Sequence, residues 1–181
     1  NRRQELDCFT PLSNRPAQQR RSVPRGLAVH WLSGNVPLLG MLVLVQSIVS
    51  KNVNILKVAA SYKNVIPDLL KSFAGVSFTT PGGTTISGDE LLKTISVVYY
   101  GHEALEHAAQ LSEAADVRIA WGGADAVRHV QSLTKKWTAA DVMFGPKTSF
   151  MVVSHDSFDS PRKLRKLLRR VATDCSVFDQ T

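Results

Sequence analysis

The sequence predicts an α/β fold: a mostly parallel sheet with helices on both faces. Short apolar, β-branched runs alternate with segments of helical period along most of the 181 residues, and no tight hairpin signal such as Asn-Gly joins two strands. Strands that turn directly into helices, rather than back on themselves, imply β-α-β units.

The elements follow in order. Residues 1–25 hold Pro11, Pro16 and Pro24 among many Arg and Gln, show neither strand nor helix period, and read as a basic, Pro-rich leader. Leu27 to Leu32 is a strand-like run, Ser33-Gly34-Asn35 a turn, and Pro37 at a first helical position opens an apolar helix to Val49 that reads as buried. Ser50-Lys51-Asn52 ends it. Val53 to Val58 is the next strand, and Ser61 to Phe73 a helix with Pro67 near its start. Four glycines, four threonines and Pro81 between Gly75 and Gly88 mark loop or irregular strand. Ile95 to Tyr100 is a strand, His102 to Ala115 a helix, Val117 to Trp121 a strand and Ala124 to Leu133 a helix. Asp141 to Phe144 and Phe150 to Val153 read as short strands. Ser160-Pro161 caps a last helix with Leu164, Leu167, Leu168, Val171 and Cys175 on one stripe.

Composition bounds the function. A hydrophobic content of 44% and a charged content of 20% exclude a disordered or collagen-like chain. The run Val36 to Val49 is too short for a bilayer span, which needs about 20 residues, so no membrane span is expected. Cys8 and Cys175 have neither zinc-site nor disulfide-framework spacing, which favours a reducing, cytoplasmic setting. The net charge of +7 is concentrated at the ends, with six arginines against Glu5 and Asp7 in residues 1–30. Basic runs without interleaved aromatics read as solvated charge, so no nucleic-acid partner is expected. His102 and His107, five apart, do not share a helical face, and no metal site is expected. No G-x-S-x-G occurs, which argues against a serine hydrolase.

In parallel sheets ligands bind beyond the carboxyl ends of the strands, and two strand-to-helix junctions there carry chemistry. In His30-Trp31-Leu32-Ser33-Gly34-Asn35, the amide of Asn35 is either a helix cap or a donor to a bound oxygen. In Trp121-Gly122-Gly123, adjacent glycines at a helix start suit either an anion held by backbone N–H groups or simply a tight turn.

The stretches GLAVHWLSGNVPLLGMLVLVQSIVSKNVNILKV, ADVRIAWGGADAV, DVMFGPK and DCSVFDQ, in this order, resemble the LuxC family of acyl-CoA reductases, which is itself similar to aldehyde dehydrogenases. The resemblance implies a Rossmann-like nucleotide-binding domain of the aldehyde dehydrogenase type over residues 26–147, with 148–181 starting a catalytic domain or supplying a closing strand and helix. It implies that Asn35 holds the oxyanion of the reacting thioester, a role worth about 3–4 kcal/mol. It implies that Ser33, Gly34, Lys57, Ser61, Trp121, Gly122 and Gly123 bind the cofactor, with Lys57 at the adenosine ribose. NAD-using aldehyde dehydrogenases often carry a Glu where this chain has Ala60; with Lys57, Ser61 and Lys63 nearby, NADPH is the expected cofactor. Met143 stands at the place of the water-activating Glu, so the implied reaction is reduction of a fatty acyl thioester, on CoA or a carrier protein, to an aldehyde through a cysteine acyl-enzyme. The family's nucleophile follows soon after Gln180, and this chain is therefore expected to bind cofactor without transferring acyl groups. Cys175 is expected to be a small buried hydrophobe. Self-association, an acyl-donor protein partner, and a noncatalytic interaction module of the same fold stay open.

Overall fold

The computed structural model describes residues 8–12, 14–34, 37–148 and 150–176. The chain divides into two compact units, residues 1–145 and 146–181.

The first unit is built on five parallel strands: β3 (Leu27–Trp31), β4 (Val53–Lys57), β7 (Ile95–Val98), β8 (Val117–Trp121) and β9 (Ala140–Phe144). They lie in the order β7-β4-β3-β8-β9. Chain order therefore runs outward from β3 through β4 to β7, then returns to β3's other side with β8. The switch point of this α/β sheet lies between β3 and β8.

Five helices join these strands or follow them: α1 (Pro37–Val49), α2 (Val65–Lys71), α3 (Gly88–Leu92), α4 (Leu105–Ala114) and α5 (Ala124–Ser132). Alternate residues of each strand point to opposite faces, and both faces are apolar. On one, Leu56 packs with Leu44 of α1 and with Ile66 and Leu70 of α2, while Ala28, Val117 and Ile119 pack with Val43 of α1. On the other, Val29, Trp31 and Ala120 pack with Val130 of α5 and Leu111 of α4. The expected doubly covered parallel sheet is thus present.

Several elements differ from expectation. Part of the leader, read as patternless, forms a two-stranded antiparallel ribbon of β1 (Thr10–Leu12) and β2 (Arg15–Arg20); its residues are largely exposed, so burial imposes no apolar alternation that a reader could detect. A second ribbon, β5 (Ser77–Thr79) with β6 (Thr85–Ser87), occupies the Gly/Thr-rich segment. Its turn residue Thr80 donates its N–H to Thr84 O at 2.8 Å. The short α3 is signalled by Ser87, whose hydroxyl accepts from Glu90 N at 3.5 Å in an S-x-x-E start. The helix expected over 61–73 is instead a 3-10 turn at Ala60–Tyr62 followed by α2, with Pro67 in the first turn of α2. The helix expected from His102 begins at Leu105.

Helix α1 is not buried all round. Gly40, Val43, Leu44 and Ser47 face the sheet, while Leu38, Leu42, Val45 and Val49 are exposed. A helix apolar on every side conceals which stripe is covered, because only packing decides it.

The second unit holds α6 (Pro161–Ser176), begun by Ser160, whose hydroxyl accepts from Lys163 N at 3.3 Å. Phe150 to Val153 is not a strand, because the described residues of this unit include no strand to pair with it. Leu164, Leu167 and Val171 are half-buried, but no residue of α6 is buried, and Cys175 is exposed rather than enclosed.

Candidate functional site

Because the strands are parallel and in register, their carboxyl ends form one edge. Trp31 pairs with Lys57 on one side and with Ala120 on the other, Lys57 pairs with Val98, and Trp121 with Phe144. The residues singled out from the sequence sit along this edge: Ser33 and Gly34 after β3, Lys57 at the end of β4, Ser61 in the turn after it, and Trp121, Gly122 and Gly123 between β8 and α5. The Ser33-Gly34 and Trp121-Gly122 junctions flank the switch point. Asn35 lies outside the described residues.

The turn after β3 meets the turn after β4. Ser61 Oγ donates to Gly34 O at 3.3 Å, and a Cβ on Gly34 would stand 3.2 Å from Ala59 Cβ, so a larger residue would push the two turns apart. On the other side of the switch point, Trp121 stacks on Phe144 with centroids 3.8 Å apart and planes 14° from parallel. Gly122 donates its N–H to Phe144 O at 3.2 Å, and a Cβ there would meet Ala126 Cβ at 3.1 Å. Packing therefore accounts for Gly122. It does not account for Gly123, whose added Cβ would meet nothing within 4 Å and which precedes α5 with no side-chain cap. The first N–H groups of a helix lack intrahelical acceptors, so this is a start that can receive an anion.

Lys57 is half-buried, and no carboxylate pairs with it among the described residues; its Nζ lies over the Tyr100 ring, 5.1 Å from the centroid. Burial holds its pKa below the ordinary lysine value. The Tyr100 hydroxyl accepts from Trp31 Nε1 at 3.2 Å. The buried indole N–H of Trp121 has no acceptor among the described residues. Buried polar groups are normally satisfied; besides this N–H, His30 Nδ1 and Ser47 Oγ are the buried side-chain atoms without a partner among the described residues.

The structure also reveals polar residues the sequence reading missed. Arg118, in β8, is 1% exposed and is held bidentately by Asp141 of β9 at 2.7 and 2.8 Å; its third nitrogen donates to Ser112 Oγ and to Val130 and Leu133 O. Arg118, with Lys135 adding to it, lowers the Asp141 pKa to about 2. His30, fully buried beneath α1, shares a 3.0 Å hydrogen bond with Asn54 Oδ1, and burial lowers its pKa. Neither pair has a local sequence signal, because the partners lie 23 and 24 residues apart. Met143 is half-buried against the Trp31–Ala120 cluster and offers no proton acceptor.

His155, Asp156 and Asp159 bring ligand atoms within 4.8 Å of one another, but all three are exposed, and Lys163 Nζ already donates to Asp159 at 3.2 Å. No helix among the described residues is long and apolar enough to cross a membrane.

A family model described as acyl-CoA reductase (LuxC) matches residues 1–181. Over 162 residues the chain is 33% identical to long-chain acyl-protein thioester reductase 2 of Photobacterium leiognathi and 33% to the long-chain acyl-protein thioester reductase of Photorhabdus luminescens; each match covers 88% of this chain and 30% of the relative. A Vibrio harveyi relative of the latter name is 33% identical over 166 residues, covering 88% and 31%. The chain thus spans less than a third of the length of the curated relatives it matches.

Proposed function

The chain belongs to the LuxC family of acyl-CoA reductases, and on that premise we propose that it is the NADPH-binding portion of an enzyme that reduces a fatty acyl thioester to an aldehyde. The observation that carries the reading is the meeting of both candidate junctions at the switch point, on the edge where α/β sheets receive ligands.

The residues present suit a dinucleotide phosphate. The Lys57 ammonium, free of any carboxylate among the described residues, is available to the adenosine ribose and its 2′-phosphate, and exposed Ser61 and Lys63 stand in the turn that follows. Ala60 contributes no carboxylate to repel that phosphate. At the start of α5 the backbone of Gly123 is open to a diphosphate, and Gly122 fits the turn closely enough to allow the approach. Trp121, Ser33 and Gly34 line the edge between. Bound NADPH supplies the hydride.

The acyl donor is an acyl-CoA or an acyl group on a protein thiol, the latter being the substrate class in the relatives' names. A cysteine thiolate takes the acyl group and releases the donor thiol, with the carbonyl oxygen accepting from the Asn35 amide. Neither Cys8 nor Cys175 falls at the family's position for that thiolate. Met143, unable to accept a proton, does not activate water to hydrolyse the acyl-enzyme to the acid, so the thioester carbonyl takes the hydride from NADPH and the aldehyde leaves as the enzyme thiolate is expelled. The two cysteines, without structural spacing, favour a cytoplasmic setting.

The test is a titration of the chain with NADPH, followed by tryptophan fluorescence or calorimetry. Saturable binding is expected, weakened about tenfold by Lys57→Ala, as loss of one charged contact of about 1.4 kcal/mol would give. Absence of saturation would remove the reading and leave an interaction module of the same fold.

A further inference from the structure

We propose that Tyr100 is a positioning residue of this nucleotide site: its ring holds the Lys57 ammonium where it selects a 2′-phosphate. The inference rests on the reading of the carboxyl edge as an NADPH site.

Three adjacent strands contribute to the arrangement. Lys57 ends β4, Trp31 ends β3 beside it, and Tyr100 stands two residues beyond the last residue of β7 on the other side. The Lys57 Nζ lies 5.1 Å from the Tyr100 centroid, inside the range of about 6 Å in which a ring face attracts a cation. The ring cannot swing freely, because its hydroxyl accepts from Trp31 Nε1 at 3.2 Å and His107 of α4 stacks against it at 6.0 Å and 24°. Tyr100 is half-buried, and burial raises the pKa of its hydroxyl, so the ring stays neutral beside the ammonium.

The choice of an aromatic holder has a chemical consequence. A carboxylate would fix the ammonium more tightly, but it would cancel its charge and repel a phosphate dianion. A ring face attracts the cation through its quadrupole and consumes none of the three N–H donors in a directed hydrogen bond. Lys57 is thereby localised without a carboxylate neutralising it. A long, rotamer-rich lysine left unheld would lose more conformational freedom when it binds. Tyr100 acts through Lys57 in this scheme and needs no contact with the nucleotide.

The experiment compares NADPH and NADH affinities of the chain in its natural form and as Tyr100→Phe, Tyr100→Leu and Lys57→Met, alone and combined. Tyr100→Leu is expected to reduce the NADPH-to-NADH affinity ratio about three- to tenfold, and Tyr100→Phe, which keeps the ring, less than about twofold. In the Lys57→Met background, Tyr100→Leu is expected to change the ratio no further. If Tyr100→Leu does not fold, Tyr100→Met serves in its place with the same expectations. A folded variant without the ring that keeps the natural ratio overturns the inference, as does one that loses affinity for both nucleotides equally, which is what a merely structural role predicts. A natural chain that binds neither nucleotide overturns the NADPH reading itself, and the inference with it.

Discussion

The two edges of the parallel sheet are finished differently. At the amino edge side chains tie down the strand starts: Asp116 accepts from Leu27 N at 2.9 Å and from Lys136 Nζ at 2.8 Å, and Asn52 Oδ1 accepts from Arg25 N at 2.9 Å and Gly26 N at 3.2 Å. Just inside that edge, Arg118 and Asp141 lock β8 to β9. At the carboxyl edge, among the described residues, a lysine lacks a carboxylate, a buried indole N–H lacks an acceptor, and a glycine borders open space. One edge has spent its polar groups on the fold. The other leaves them available, as the proposed nucleotide site requires.

The difference can be broken from the amino side first, where the largest effect is expected. Arg118→Met strips the donor from the Ser112 hydroxyl and from two backbone carbonyls in the protein interior, while Asp141 keeps Lys135, and is expected to cost about 1–3 kcal/mol in denaturant unfolding, as buried acceptors left without a donor do. If instead the loss is below about 1 kcal/mol, the network is not what joins β8 to β9. Gly123→Ala probes the opposite edge. Its φ of −63° suits alanine, so stability is expected to stay within about 1 kcal/mol of the natural chain, while NADPH affinity falls several-fold because a methyl group enters the open space. Unchanged affinity, measured by calorimetry, would mean that the diphosphate does not lie there.

A smaller effect separates the edges by pH. The Asp141 pKa is about 2 in the folded chain against 3.8 ordinarily. A depressed folded pKa contributes stability that is present above the unfolded value and lost as pH falls. Stability is therefore expected to decline between about pH 4 and pH 2, and Asp141→Asn, less stable at neutral pH, should show a shallower decline over that window in acid titrations followed by circular dichroism. An equally steep decline in the variant would assign the acid sensitivity elsewhere.

How much of this was legible in the sequence depended on whether the signal was local. The β3-turn-α1 and β8-turn-α5 junctions could be read because Gly, Pro and β-branched residues punctuate them within a few positions. The ribbons β1–β2 and β5–β6 could not, since exposed two-stranded pairs need no apolar alternation. Which side of α1 is covered, and whether Cys175 is enclosed, depend on what packs against a helix, and an apolar stripe alone does not say. Nothing local marks Arg118 as buried, because the carboxylate it pairs with is 23 residues away. Tyr100 was read as the end of a strand; its contacts with Trp31 and Lys57 span 69 and 43 positions of chain.

The uncovered side of α1 has a practical effect on the chain in solution. Leu38, Leu42, Val45 and Val49 form an aliphatic ridge about 16 Å long, from the rise of a helix, with exposures of 69%, 56%, 46% and 53%. Such a ridge makes molecules adhere as they are concentrated. Light scattering of the purified chain should therefore climb with concentration, and Leu42→Lys, which sets a charge in the middle of the ridge without touching the sheet, should keep the preparation clear.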